Sequence, residues 1–121
     1  MGKFIVRPAK GGYRYNLVAN NGEIIATCAA RASRAGCLAA VEEVRRAAPD
    51  APVEDQTAPG PAPLPRPKFE VYNDRAGEFR FRLVAPGGEI IAVSEGYKAK
   101  ASCLRGVSSV RRNAPSPLVE P

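Results

Sequence analysis

Apolar and charged residues alternate through Phe79-Arg80-Phe81-Arg82-Leu83, the period-two pattern of a strand with one buried and one wet face. Phe69-Glu70-Val71-Tyr72 reads as a shorter strand, and Asn73-Asp74-Arg75-Ala76-Gly77 between the two carries the residues of a turn. Asn20-Asn21-Gly22 and Pro86-Gly87-Gly88 predict hairpin turns, each leading into a third strand, over residues 23–27 and 89–93. Because these glycines precede strands and not helix N-termini, they read as turns and not as a phosphate cradle. Beyond the third strands the period becomes helical. Cys103, Val107, Val110 and Ala114 form one apolar stripe, and Cys37, Val41, Val44 and Ala48 form another. Ser33 is placed to cap the first helix, whereas its counterpart Ala99 cannot cap, at a cost of about 1 kcal/mol. Pro49 and Pro115 stop both helices.

The whole pattern occurs twice. A shift of 66 residues lays 13–49 on 79–115 without a gap, with roughly half of the positions identical. Upstream, Lys3-Phe4 matches Lys68-Phe69 at a shift of 65, so a one-residue length change falls in the first turn, where it is tolerated. Three short strands and one helix bury too little surface to be stable alone, so two copies are expected to close around one core in a pseudo-two-fold. The expected organisation is a first repeat over 1–55, a proline-rich linker over 56–67 and a second repeat over 68–121, together one cooperative unit. The linker reads as an extended spacer of polyproline type. It lacks the proline that a P-x-x-P-x-R ligand of aromatic grooves needs.

Composition narrows the chemistry. At 121 residues, 45% hydrophobic and 25% charged, the chain has the balance of an ordinary globular protein. No apolar run approaches the roughly 18 residues of a membrane span, and no apolar stretch follows the basic start, so neither membrane nor secretion is expected. Three cysteines without a C-x-x-C pair argue against a disulfide framework or a zinc site and for a reducing cytoplasm. Cys37 and Cys103, inside the helical stripes, are expected as inert buried thiols, and Cys28, after a strand, as more exposed. The absence of histidine removes triads, histidine bases and histidine-ligated metals. No catalytic residue, cofactor or metal ligand is assigned. Glu23 and Glu89, equivalent residues after the hairpin turns, are the one pair that a two-fold could bring together for acid/base work.

The segments G-E-I-I, S-E-G-Y and C-L-R-G-V-S-S-V-R-R-N-A within 88–115 closely resemble the YegP-like family of small bacterial proteins, and both copies share in the likeness. The resemblance implies an α+β fold: a β-β-β-α-β unit repeated twice, one antiparallel sheet with both helices packed on one face, and short last strands exchanged between units. It thereby gives a role to Pro52-Val53-Glu54-Asp55 and Pro117-Leu118-Val119-Glu120, which otherwise read as tails. The family carries no established biochemical function. The first copy departs from it, with Cys28-Ala29-Ala30-Arg31 in place of Ser94, Glu95, Gly96 and Tyr97, a segment that is a candidate surface motif in the second copy.

A net charge of +6 makes polyanions natural partners. Arg14, Arg80 and Arg82 alternate with aromatics and are expected on the open face of the sheet, and Lys98, Lys100, Arg105, Arg111 and Arg112 lie at or along the second helix. These eight are the candidate phosphate or partner contacts. The aromatics of the same strands are needed in the core, so base stacking is not expected. Residues 59–121 carry ten basic and six acidic side chains, against eight and six before them, a modest asymmetry; a nucleic-acid face needs the arginines clustered. The expected function is a non-catalytic binding module for a protein or polyanion, a monomer with an internal pseudo-two-fold. Nucleic-acid binding, to RNA, the ribosome or DNA, is the alternative, and a small enzyme the third reading.

Overall fold

The computed structural model describes residues 2–60 and 63–119; Pro61 and Ala62 of the linker and Glu120 of the predicted last strand lie outside them. The first repeat runs β1 (Lys3–Ala9), β2 (Gly12–Val18), β3 (Ile24–Thr27), α1 (Arg34–Ala47) and β4 (Val53–Asp55). The second copies it as β5 (Lys68–Asn73), β6 (Phe79–Val84), β7 (Ile90–Val93), α2 (Lys100–Asn113) and β8 (Leu118–Val119). Ser33 caps α1 by accepting a hydrogen bond from Gly36 N at 3.0 Å, while Ala99 leaves α2 without a side-chain cap.

The strands form one sheet in the order β4-β5-β6-β7-β3-β2-β1-β8. Hairpin neighbours within each repeat are antiparallel, and antiparallel β3 and β7 join the repeats at a seam where Thr27 faces Val93. The last strands are exchanged: β4 of the first repeat lies beside β5, and β8 of the second beside β1. Both exchanged pairs are parallel, which refines the expected antiparallel sheet at its two edges. The main chain and two helix arginines fix these arrivals. Phe69 N donates to Pro52 O at 2.8 Å and Phe4 N to Pro117 O at 2.9 Å. Arg111 of α2 donates to Ala51 O and stacks over Phe69, and Arg45 of α1 donates to Ser116 O and stacks over Phe4. Each helix thus clamps the strand that the other repeat lends.

Strand alternation decides which face is buried. Phe4, Val6, Tyr15, Leu17, Phe69, Val71, Phe81 and Leu83 all lie in the core, under α1, which packs on β1, β2 and β7, and α2, which packs on β3 and β6. Each helix crosses the seam, and one cluster includes side chains from both repeats. Tyr15 adds a polar tie: its hydroxyl donates to Ile91 O across the seam at 2.6 Å, and burial raises its pKa so that it remains a donor. Cys28 is 2% exposed, against expectation. The alternation of β3 simply continues past the strand end, so Thr27 turns out and Cys28 turns in. Burial pushes the Cys37 and Cys103 thiols up to about 11, which keeps both protonated at neutral pH.

Candidate binding face of the sheet

The face away from the helices is where the two repeats part company. In the second repeat it presents Lys68, Glu70 and Tyr72 from β5 and Arg80 and Arg82 from β6, with Glu70 opposite Arg82 and Tyr72 opposite Arg80. The arginines point to the open face as alternation requires, but neither is free. Arg82 Nε donates to Glu70 at 2.6 Å while its guanidinium lies 4.3 Å from the centre of the Tyr72 ring. Arg80 Nε donates to Asp74 at 2.6 Å, and its Nη1 reaches Ser94 O at 3.2 Å. Asp74 also accepts from Ala76 N and Glu78 N, and its carboxyl is held below the ordinary range, first by Arg80.

Beside this pair lies a second network. Lys68, buried at 6% exposure, bonds Glu54 of β4 at 2.9 Å and Glu70 at 3.3 Å. Glu54 also accepts from Gln56 Nε2 at 2.6 Å and from Leu64 N at 2.7 Å. Lys68 first, then Gln56 and Leu64 N, hold the Glu54 carboxyl at about 2. The linker is therefore not an extended spacer. Adjacent parallel strands β4 and β5 need a connection that returns along their length, and on either side of residues 61–62 the linker bonds back to the sheet, through Gln56 and Leu64. Gln56 N donates to Val71 O at 2.7 Å, and Thr57 N to Asp55 Oδ1 at 2.9 Å.

Of the eight candidate contacts, Arg80, Arg82, Lys100 and Arg111 are thus committed to internal partners, Lys100 pairing with Asp55 of β4. Arg14, Lys98, Arg105 and Arg112 are exposed; Arg105 meets only the Ser102 hydroxyl among described side chains, at 3.1 Å. Of Ser94, Glu95, Gly96 and Tyr97, Glu95 is exposed on a groove that Arg14 and Arg80 also line, while Gly96 and Tyr97 are half-buried. Ser94 is buried, its hydroxyl accepting from Phe81 N at 2.9 Å and donating to Glu95 O at 2.8 Å. Gly96 leaves room for Glu78, and Tyr97 bridges to Phe79 and packs on Gly106 of α2. Glu23 and Glu89 do not meet: antiparallel β3 and β7 send them to opposite ends of the seam, where Glu23 lies near Tyr97.

The first repeat keeps the same face bare. Lys3, Ile5 and Arg7 of β1 and Arg14 and Asn16 of β2 stand where the second repeat has Lys68, Glu70, Tyr72, Arg80 and Arg82. Arg7 is directly opposite Arg14, and no acidic side chain pairs with Lys3, Arg7 or Arg14 among the described residues. A groove of about 500 Å³ runs over Lys3, Ile5, Arg7, Asn16 and Ile24 to the Asn20 turn. At that turn it meets a groove of about 510 Å³ floored by Asn21, Ser109 and Arg112, and one of about 370 Å³ reaching Arg105. On the sheet face, therefore, the half with fewer basic residues carries cations without acidic partners among the described residues, Lys3, Arg7 and Arg14, where the other half pairs its own. Sequence reasoning missed Lys3 and Arg7, although aligning the repeats would have shown Glu70 replaced by Ile5 and Tyr72 by Arg7.

Eight strands in this exchanged order under two helices define a tandem-repeat α+β class. The domain of unknown function DUF1508 matches twice, over residues 9–55 and 74–120. The chain belongs to that family. A UPF0339 protein encoded in the 5′ region of the ptx operon of Stutzerimonas stutzeri is 66% identical over 47 residues, which is 39% of this chain and 42% of that protein. The chain thus spans less than half of that relative. A UPF0339 protein of Pseudomonas aeruginosa is 32% identical over 114 residues, covering 93% of this chain and 90% of its own. The solution structure of the protein of unknown function yegP from E. coli shares the fold, with a TM-score of 0.79 at 24% identity over 98% of this chain and 91% of that one. No helix among the described residues is long and apolar enough to cross a membrane.

Proposed function

We propose that the chain is a non-catalytic binding module for an anionic macromolecule, held on the open face of the first repeat. The arrangement of Arg7 directly across the β1–β2 ladder from Arg14 carries this reading. Like charges in that position destabilise a sheet, and the second repeat avoids the cost with Tyr72 opposite Arg80 and Asp74 bound to it. A negatively charged ligand turns the same cost into affinity. The unpaired, buried thiols support a reducing cytoplasm as its setting, and the core shared by both repeats supports a monomer. Glu54 and Asp55, held near 2 by cationic partners, are poor proton shuttles at neutral pH, which supports a role without catalysis.

Nucleic-acid binding is the second reading, favoured by the continuation of free cations around the Asn20 turn to Arg112 and Arg105. Fluorescence anisotropy with labelled polyglutamate and labelled single-stranded RNA tests the proposal. Replacing Arg7 and Arg14 by glutamine should weaken binding and lower the salt slope by about two charge contacts. Replacing Arg80 and Arg82 should lower stability and leave binding nearly unchanged. No binding of either probe near physiological salt would refute the proposal.

A further inference from the structure

We infer that the first-repeat groove receives an extended peptide segment of a partner protein, one that sets aliphatic side chains between carboxylates; the inference rests on the binding-module reading and narrows it. The second repeat shows how such a segment sits. There described residues of the linker return to the sheet beside the edge strand. Leu64 N bonds Glu54, Gln56 spans Glu54 and Arg82, and the Arg66 guanidinium lies against Gly88. By strand register, the same cradle in the first repeat has Val119 for Glu54, Lys3 for Lys68, Ile5 for Glu70 and Asn16 for Arg82.

No described segment lies over this second cradle, and its chemistry has changed. Two carboxylates have become Val119 and Ile5, so the floor is aliphatic, with Val119 40% and Ile24 45% exposed. Lys3, Arg7 and Arg14 stand around it without acidic partners among the described residues. A segment that fits must therefore bring the carboxylates itself and rest apolar side chains on Val119, Ile5 and Ile24. Single-stranded nucleic acid suits this floor less well, since its bases need aromatic platforms. Phe4, Tyr13 and Tyr15 of these strands all pack toward the helices.

The test uses the full chain, anisotropy and amide NMR with three labelled probes: a peptide alternating glutamate with leucine and proline, the same peptide with serine for leucine, and oligothymidylate of equal charge. The leucine peptide should bind about tenfold or more tighter than the serine peptide. Its amide shifts should centre on Ile5, Ile24 and Val119. Ile24→Ser, at an exposed position, should abolish the preference while the thermal midpoint holds. Equal affinity of the two peptides, or displacement of the leucine peptide by oligothymidylate, would overturn the inference and leave the binding-module reading standing. Failure of all three probes to bind would remove both.

Discussion

Gly106 stands in the middle of α2, buried, and the model of repeat against repeat makes its replacement informative. A Cβ at this position would lie 2.6 Å from the Tyr97 hydroxyl and 2.9 Å from Phe81 Cε2, both far inside contact distance. Overpacking of that kind costs about 1–3 kcal/mol, while alanine in a helix interior regains about 1 kcal/mol over glycine. Gly106→Ala should therefore lower stability by about 1 kcal/mol. The first repeat makes the opposite choice: Ala40, also buried, takes the equivalent position where Arg31 replaces the tyrosine. In a Tyr97→Ala background the added methyl has space, and the Phe81 ring can yield toward it. There Gly106→Ala should stabilise, by up to about 1 kcal/mol. Urea unfolding of the four proteins in a double-mutant cycle then gives a coupling of about 1–2 kcal/mol. Additive effects, or stabilisation by Gly106→Ala with Tyr97 in place, would refute the claim that the tyrosine dictates the glycine.

Contacts elsewhere in the fold lead to three more outcomes. The Glu54 carboxyl, brought from an ordinary 4.5 to about 2, contributes stability that is present above the unfolded value and lost as pH falls from about 4.5 to about 2; the Leu64 amide shift should titrate near the lower figure, and a midpoint near 4.5 would break the linker anchor. Ala99→Ser should supply the missing cap of α2 and raise stability by about 1 kcal/mol, read from the denaturant midpoint; no change would mean that the end of α2 is already satisfied. Residues 1–58 expressed alone should be unfolded or self-associating, because β1 lacks β8 and α1 lacks β7; a folded monomer by NMR and sedimentation would refute the shared core.

The elements were legible because each rests on local signals: alternation at 79–83, the helical stripes, the Ser33 cap and the glycine turns all appear where the residues place them. Alternation also put Arg14, Arg80 and Arg82 on the correct face. It could not say which of them were free. That depends on register, which sets Glu70 opposite Arg82, and on a linker that returns to the sheet from ten residues away to reach Glu54. A count of charge by half decides little, since the second repeat pairs Lys68, Arg80, Arg82 and Lys100 while Lys98, Arg105 and Arg112 stay exposed. The packing of Tyr97 on α2 was out of reach for a similar reason: what Gly106 makes room for is invisible until α2 is laid on β6.

The exchange of edge strands has a topological consequence. Because β4 is followed by the linker into β5, its parallel neighbour, and β8 lies parallel beside β1 in the same way, the two junctions between repeats are equivalent in space. A short connection from the end of β8 to the start of β1 would do what residues 56–67 already do. The fold is in this sense a ring, opened at one of two like joints. A circular permutant opened within the linker instead should reach the same sheet order, with first and second repeats trading places.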